Sequence, residues 1–184
     1  MAFTPYHNIT GADSAAAELT QELLAAGDNA KISSISLTNI HASTKCTVDL
    51  YIEKQLTGKF YLLKGVSLPA GVTLFHDIVG FNNYSGQFGL YIKLTKGTTF
   101  AITITANGGT EGIDPAASTT VTGVGTSFLS DLSIGDEIVV SGETRVVTAI
   151  ASDTELTVSV AFSNNSNDAT PDCNPVAPVD VILS

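Results

Sequence analysis

The stretch KCTVDLYIE, residues 45–53, decides the fold class. Apolar side chains occupy every second position in it, and threonine, aspartate, tyrosine and glutamate occupy the positions between them; the apolar set is Cys46, Val48, Leu50 and Ile52. Because successive side chains of a strand point to opposite faces of a sheet, this alternation predicts a β-strand with one buried face.

Similar alternating runs lie on both sides of this strand, at residues 30–40, 59–64, 72–79, 88–95 and 98–105. Turns rich in glycine and proline separate them, as in Leu68-Pro69-Ala70-Gly71, and leave no room for crossover helices. The strands are therefore expected to pair antiparallel. Residues 1–106 are predicted to form an all-β domain, an antiparallel β-sandwich of the immunoglobulin or jelly-roll kind.

The segment 14–26, SAAAELTQELLAA, allows two interpretations. Its apolar residues recur at helical spacing and Gly27 could end a helix, which favours a helix locally. The stretch is short and strands follow it directly, so a strand over residues 20–25 is the competing interpretation.

The second half predicts a smaller β-domain. Residues 107–118 are rich in glycine, proline and small side chains and are expected to form a linker. Beyond them, strands are predicted at 119–124, 137–140, 144–150 and 155–161, which is consistent with a small SH3-like or similar β-barrel over residues 119–184. In VAPVDVILS the residues Val179, Val181 and Leu183 alternate, and this predicts a docked C-terminal strand or arm.

Charge is distributed unevenly along the chain. The 8 basic and 18 acidic residues give a net charge of −10. Seven lysines balance seven acids up to Ala106, so the remaining half carries Arg145 against eleven acids. A phosphate backbone would be repelled by that half, and nucleic-acid binding is therefore not expected.

Residue types that carry chemistry are present but isolated. Cys46 is expected to be a small core residue, Cys173 is expected to lie in a loop, and two free thiols are expected in place of a disulfide. The histidines His7, His41 and His76 have no ligand-spaced neighbours and are expected at surfaces or edges. No motif of nucleophilic catalysis is present, so we do not expect the chain to be an enzyme or to need a cofactor.

Calcium is the one cofactor that the sequence suggests, but no calcium site is predicted. Two oxygen-rich groups suggest it: Asp131, Asp136 and Glu137, and Asn164, Ser166 and Asp168. Neither group has the glycine and closing glutamate of a calcium-binding loop. Asp136 is expected instead to accept hydrogen bonds from N–H groups of its own turn.

Aromatic and apolar residues suggest contacts with partners. Phe81, Tyr84 and Phe88 flank the loop NNYSGQ, which could bind a sugar or a partner protein by stacking. The favoured interpretation is that these residues are core plugs and an inter-subunit contact. The predicted C-terminal strand adds Val179, Val181 and Leu183 as possible partner contacts. The chain shows no signal-peptide pattern and no apolar run of membrane-spanning length, so a soluble protein made in the cytosol is expected.

Two parts of the chain resemble modules of tailed-bacteriophage virion proteins. Residues 20–105 resemble a β-sandwich domain of such proteins in Ala26-Gly27, Thr38-Asn39-Ile40 and Leu68-Pro69-Ala70-Gly71. Residues 119–160 resemble a second module, in the spacing of Gly123, Gly125 and Phe128, of Leu132 and Gly135-Asp136, and of Ser152-Asp153-Thr154. In the family of the first module the segment before the glycine is a strand, which shifts the expectation for residues 20–25 toward a strand.

The resemblance implies a non-enzymatic structural component of a phage virion, assembled in the host cytoplasm. It would be an accessory subunit of the capsid, neck or tail, present in many symmetric copies, with other virion proteins as its partners and with no membrane or nucleic acid bound. The alternative is a tail or fibre adhesion protein that binds a receptor or glycan on the host surface. A depolymerase is disfavoured, because two domains this small leave little groove for a polymer.

Overall fold

The chain is described by a computed structural model in which residues 5–10, 17–28, 30–54, 57–82 and 87–184 are placed, without the side chains of residues 79–82. These residues form an all-β protein with antiparallel pairing throughout and one short helix. No helix among them is long and apolar enough to cross a membrane.

Eight strands build two four-stranded sheets. They are β1 Tyr6–Thr10, β2 Glu18–Leu24, β3 Lys31–Asn39, β4 Cys46–Lys54, β5 Gly58–Leu68, β6 Thr73–Asn82, β7 Phe88–Thr95 and β15 Pro178–Leu183. Sheet 1 has the order β1-β15-β3-β6, and sheet 2 has the order β2-β7-β4-β5. The alternation that predicted β3, β4, β6 and β7 is confirmed, and the segment with two interpretations is the strand β2 over its described part.

Sheets 1 and 2 bury one hydrophobic core together. The predicted inward set of β4 is buried at Cys46, Val48 and Leu50, and it shares a cluster with Ile35 of β3 and Val181 of β15. We call these eight strands the first unit. Its core explains why one face of each strand had to be apolar, since burial of that face is the main favourable term in folding.

The remaining strands form sheet 3 with the order β8-β14-β11-β12-β13-β10-β9. They are β8 Phe100–Ala101, β9 Gly112–Asp114, β10 Thr120–Val124, β11 Glu137–Val140, β12 Glu143–Ser152, β13 Glu155–Val158 and β14 Asp172–Asn174, with the helix α1 Phe128–Asp131. The first half of β12 pairs with β11 and its second half pairs with β13, with register shifts between Val147 and Ala149 and between Ile150 and Ser152. Bulges of this kind bend a strand, and sheet 3 packs around a second core that includes Phe128, Ile138 and Val147. We call sheet 3 and α1 the second unit.

The second unit is inserted between β7 and β15. The predicted strand over residues 98–105 shortens to β8, which pairs with β14, and Phe100 and Ile102 pack in the second core. The C-terminal strand is confirmed as a strand, but it pairs with β1 and β3 of sheet 1 and not with the second unit. The boundary expected after residue 106 is therefore corrected to residues 96–99, with a return crossing at residues 175–177.

The segment predicted as a linker also belongs to the second unit. Within residues 107–118, β9 pairs with β10 and its Ile113 is fully buried. The polar loop after residue 161 contains β14, which pairs with β11. Both strands have only three residues, and alternation over so short a run is not distinguishable from loop sequence.

Candidate functional site

Asp136 lies at the junction of the two units, in the turn before β11, and it is fully buried. Its Oδ2 accepts a hydrogen bond from the Ser133 N–H at 2.8 Å, and its Oδ1 accepts one from the Val176 N–H at 2.9 Å. The prediction that this carboxylate accepts from its own turn is confirmed by the bond from Ser133. The bond from Val176 ties the same carboxylate to the return crossing.

His41 follows β3 in the first unit and is the third partner of Asp136. Its Nε2 lies 3.2 Å from the Asp136 carboxylate, and its side chain is almost fully buried. Its Nδ1 accepts hydrogen bonds from the N–H groups of Ser43 and Thr44, each at 3.0 Å. Since Nδ1 is an acceptor, the ring proton is on Nε2 and is donated to Asp136. The expectation that His41 is a surface or edge residue is therefore wrong, because the insertion of the second unit covers it; His7 and His76 are half-buried.

Further hydrogen bonds close the junction. The Ala42 N–H donates to the Ser133 Oγ at 2.9 Å, and the Ser43 Oγ donates to the Asp131 carbonyl at 2.6 Å. The chain also crosses the junction twice, near Gly97 and Val176. Two chain crossings and the buried hydrogen bond from His41 to Asp136 connect the two units at this junction.

Both cysteines are free and buried. Burial raises the pKa of Cys46 to about 11. Burial, followed by the nearby Asp136 carboxylate, raises the pKa of Cys173 well above its ordinary value. The core position of Cys46 is confirmed, whereas Cys173 is part of β14 and of the second core in place of the expected loop. Thiols held in the protonated form are poor nucleophiles and poor metal ligands.

Three of the six residues predicted as partner contacts lie in a core. Val179, Val181 and Leu183 are buried in the core between sheets 1 and 2, so they cannot reach a partner. They alternate because they face that core. Phe88 is half-buried opposite Lys54, and Phe81 lies opposite Ile32 in the register of sheet 1. Tyr84 lies outside the described residues.

In the second of the two oxygen-rich groups, the side chains of Asn164 and Asp168 bond to backbone groups of the second unit. Asp168 accepts from the N–H groups of Ser141 and Thr170, and Asn164 accepts from Ser166. Across the part of the chain that the structure describes, no three His, Cys, Asp or Glu side chains are grouped to hold a metal ion.

Glu143 anchors the polar loop after β13 to the start of β12. Its carboxylate accepts from the Ser163 hydroxyl and from the N–H groups of Ser163 and Asn164, and it pairs with Arg145. The hydrogen bond from the Ser163 side chain is the largest of the effects that lower the Glu143 pKa to about 2.

The outer face of sheet 1 carries an exposed apolar row that the sequence patterns did not reveal. Tyr6 of β1 lies opposite Ile182 of β15, Ile182 lies opposite Ser36 of β3, and Ser36 lies opposite Phe75 of β6. Tyr6 is 68% exposed, Phe75 63% and Ile182 41%. We call Tyr6, Ile182 and Phe75 the apolar row. Each residue looks ordinary in its own strand, and only the register of four strands brings them together.

A second apolar surface lies where sheet 1 meets the second unit. A cleft of about 420 Å³ opens there, and we call it the junction cleft; its lining is Thr10, Ile40, Leu129, Leu132, Ser133, Ile134, Ile150 and Pro178. Ile40, Leu129 and Ile134 are 43%, 57% and 61% exposed. Thr10 pairs with Pro178, and the Ile40 N–H donates to the Pro178 carbonyl, so the floor of the cleft continues sheet 1.

The outer face of sheet 2 differs, because lysine ammonium groups lie over two of its tyrosine rings. Tyr51 stacks on Tyr91 with centroids 5.7 Å apart and contacts Tyr61 at 5.5 Å. The ammonium groups of Lys59 and Lys64 lie over the Tyr51 and Tyr61 rings at 4.4 and 4.7 Å. Such cation–π contacts occupy ring faces that a sugar would otherwise stack on.

The Tyr91 hydroxyl is also engaged. It donates to Glu22 at 2.8 Å, and this hydrogen bond is the main cause that raises the Tyr91 pKa to about 12. The Tyr91 hydroxyl is thus bonded within the chain, whereas the apolar row of sheet 1 faces solvent.

Comparison with known proteins found no matching family model, no similar curated protein and no similar solved structure.

Proposed function

We propose that this protein is a non-enzymatic structural subunit of a tailed-bacteriophage particle, an accessory component of the capsid, neck or tail that acts through protein–protein contacts. The observation that carries the proposal is the apolar row on the outer face of sheet 1. Tyr6 and Phe75 alone expose about 100–170 Å² each, given the area of an aromatic side chain. Several large exposed apolar side chains on one face of a sheet are typical of interaction sites.

The fold supports the proposal in a second respect. The first unit has two four-stranded sheets around one core, which suits a β-sandwich, and the second unit has a curved sheet that suits a small β-barrel; these are the two modules that the sequence resembles. The second unit would project from the particle, since it carries most of the acids.

The buried chemistry favours a structural role. His41 and Asp136 satisfy each other and neighbouring backbone groups, and both thiols are held protonated by burial. These groups stabilise the fold and offer no activated nucleophile. Adhesion through glycan stacking is the second function expected from the sequence; against it, the lysine ammonium groups over Tyr51 and Tyr61 occupy one face of each ring.

Cryo-electron microscopy of particles of the phage whose genome encodes the chain tests the proposal. Density for the two units on capsomers, at the neck or along the tail would support an accessory role. Density confined to the distal tip would favour adhesion, and absence of the chain from purified particles would exclude a virion component. Sizing of the purified chain adds a simpler measurement, because a stable trimer would indicate a fibre or spike.

A further inference from the structure

The apolar row and the junction cleft belong to one surface. Counting along β1 and β15, Tyr6 and Ile182 lie in one cross-strand row, Asn8 and Asp180 lie in the next row on the same face, and Thr10 and Pro178 lie in the third. Rows on one face are two residues apart, so the first and third rows are separated by about 13 Å. We call this surface, from the apolar row to the junction cleft, the sheet 1 groove.

The middle row of the groove is polar and carries a negative charge. The Asn8 side-chain amide donates to Asp180 at 2.6 Å, and the Thr38 and Thr73 hydroxyls hydrogen-bond at 2.9 Å. Asp180 is the charged group in this row, and it lies between two apolar ends. The pattern along the strand direction is therefore apolar, acidic and apolar.

The surroundings of the groove are acidic as well. Asp77 is exposed on β6 two residues from Phe75, and at the cleft the Asp153 carboxylate accepts from the Leu129 N–H at 3.1 Å. This part of sheet 1 consists of residues 6–10 of β1, 178–182 of β15, 34–38 of β3 and 73–77 of β6. None of the described residues that face outward there is lysine or arginine.

We propose that the sheet 1 groove binds an extended segment of another protein, with apolar side chains at positions i and i+4 and a lysine or arginine at i+2. In an extended segment, side chains at i, i+2 and i+4 point to one side and span about 13 Å, which matches the separation of the two apolar ends. The basic side chain then lies over Asp180. The inference rests on the proposed function only in taking the donor of the segment to be another protein of the particle.

Charge decides against a contact between the sheet 1 grooves of two copies. The acids of one groove would face the acids of the other, and the outward-facing described residues of the groove include no lysine or arginine to oppose them. A basic segment gains from the same field, because complementary charge speeds association and selects the partner.

Binding of a synthetic peptide to the full chain tests the groove directly. The probe is a short peptide with two leucines, each separated by one threonine from a central lysine; the control peptide carries glutamate in place of the lysine. Nuclear magnetic resonance of the ¹⁵N-labelled chain is expected to show shifts for β1, β15 and α1, and none for β4 and β5. The glutamate peptide is expected to bind more weakly.

Substitutions in the groove separate its parts. Phe75→Ser and Leu129→Ser remove one apolar anchor from each end and are expected to weaken the lysine peptide about tenfold or more. Asp180→Asn is expected to weaken it about two- to fivefold, as for an exposed ion pair. Asp180→Lys is expected to reverse the preference toward the glutamate peptide. Phe60→Ser is the matched control, because Phe60 is 50% exposed on sheet 2. Circular dichroism of each variant checks that it folds.

Several outcomes would overturn the inference. They are the absence of shifts at millimolar peptide, equal affinity for both peptides, shifts on sheet 2, and self-association of the free chain that Phe75→Ser abolishes. The last result would assign the groove to a second copy. The proposed function fails separately: if the peptide binds as expected but the chain is absent from particles, the groove stands and the phage role does not. If the chain is in particles and Phe75→Ser and Leu129→Ser are incorporated like the unaltered chain, the phage role stands and the groove does not.

Discussion

Replacing Asp136 with alanine tests whether the junction holds the two units together. The substitution removes the acceptor of two buried donors, the Val176 N–H and the Nε2–H of His41, and of the half-buried Ser133 N–H. The first two do not face solvent, since Asp136 is fully buried and His41 is 3% exposed. The donors cannot all find water without opening the junction.

The expected cost follows from the unsatisfied donors. A buried donor left without an acceptor costs about 1–3 kcal/mol, so the loss of the acceptor for two buried donors costs about 2–6 kcal/mol in total. We therefore expect Asp136→Ala to lower the free energy of unfolding by about 2–6 kcal/mol. For a chain of this length about 2–4 °C of Tm corresponds to each kcal/mol, so Tm falls by about 4–24 °C.

Urea denaturation followed by circular dichroism measures the loss, and Asp172→Ala is the matched control because Asp172 is an exposed carboxylate on the neighbouring strand β14. The control removes the same charge and is expected to change stability by less than about 0.5 kcal/mol. A double-mutant cycle with His41→Ala isolates the pair, with an expected coupling of about 1–3 kcal/mol. A loss of less than about 1 kcal/mol for Asp136→Ala would refute the assignment of Asp136 as the buried acceptor that connects the two units.

Three further outcomes follow from individual residues. The Glu143 pKa is lowered to about 2, so its carboxylate stabilises the fold fully above about pH 4.5, and this stabilisation is lost as the pH falls toward 2. Glu143→Gln should therefore lower Tm at neutral pH and should have the same Tm as the unaltered chain near pH 2. A constant Tm difference across that range would contradict the assignment. Gly125→Ala should cost about 2 kcal/mol or more in urea denaturation, because φ is +75° and a Cβ would overlap a backbone carbonyl oxygen, whereas Gly108→Ala, with φ +81° in open space, should cost less. Cys46 and Cys173 should not react with a thiol reagent at pH 8 in the folded chain and should both react in urea; rapid labelling of the folded chain would show that either thiol is accessible.

Sequence patterns predicted the strands that are long and have one buried face. The alternation at Cys46, Val48 and Leu50 is confirmed because those side chains enter the core, and β11 lies at the residues predicted for it. Strands of two or three residues were missed or misplaced. They are held by pairing with distant neighbours, as β14 is by β11, and carry no periodic signal of their own.

The candidate site was mostly beyond the reach of local patterns. The alternation of Val179, Val181 and Leu183 correctly predicted a strand, but an alternating apolar set is as consistent with a surface contact as with a core. Their burial was decided by where β15 pairs. Conversely, Tyr6, Ile182 and Phe75 are far apart in sequence, and nothing local marks them as neighbours.

By itself, the sequence determined the all-β class, most strands of the two units, the uneven charge and the turn role of Asp136, because each depends on side chains within a few residues of one another. The tertiary structure decided that the C-terminal strand returns to sheet 1, that the second unit is an insertion, that His41 is buried against Asp136 and that the sheet 1 groove exists. Each of these is a pairing between residues distant in the chain. Such pairings depend on the register of whole sheets and on the burial of shared cores, which no single stretch of sequence contains.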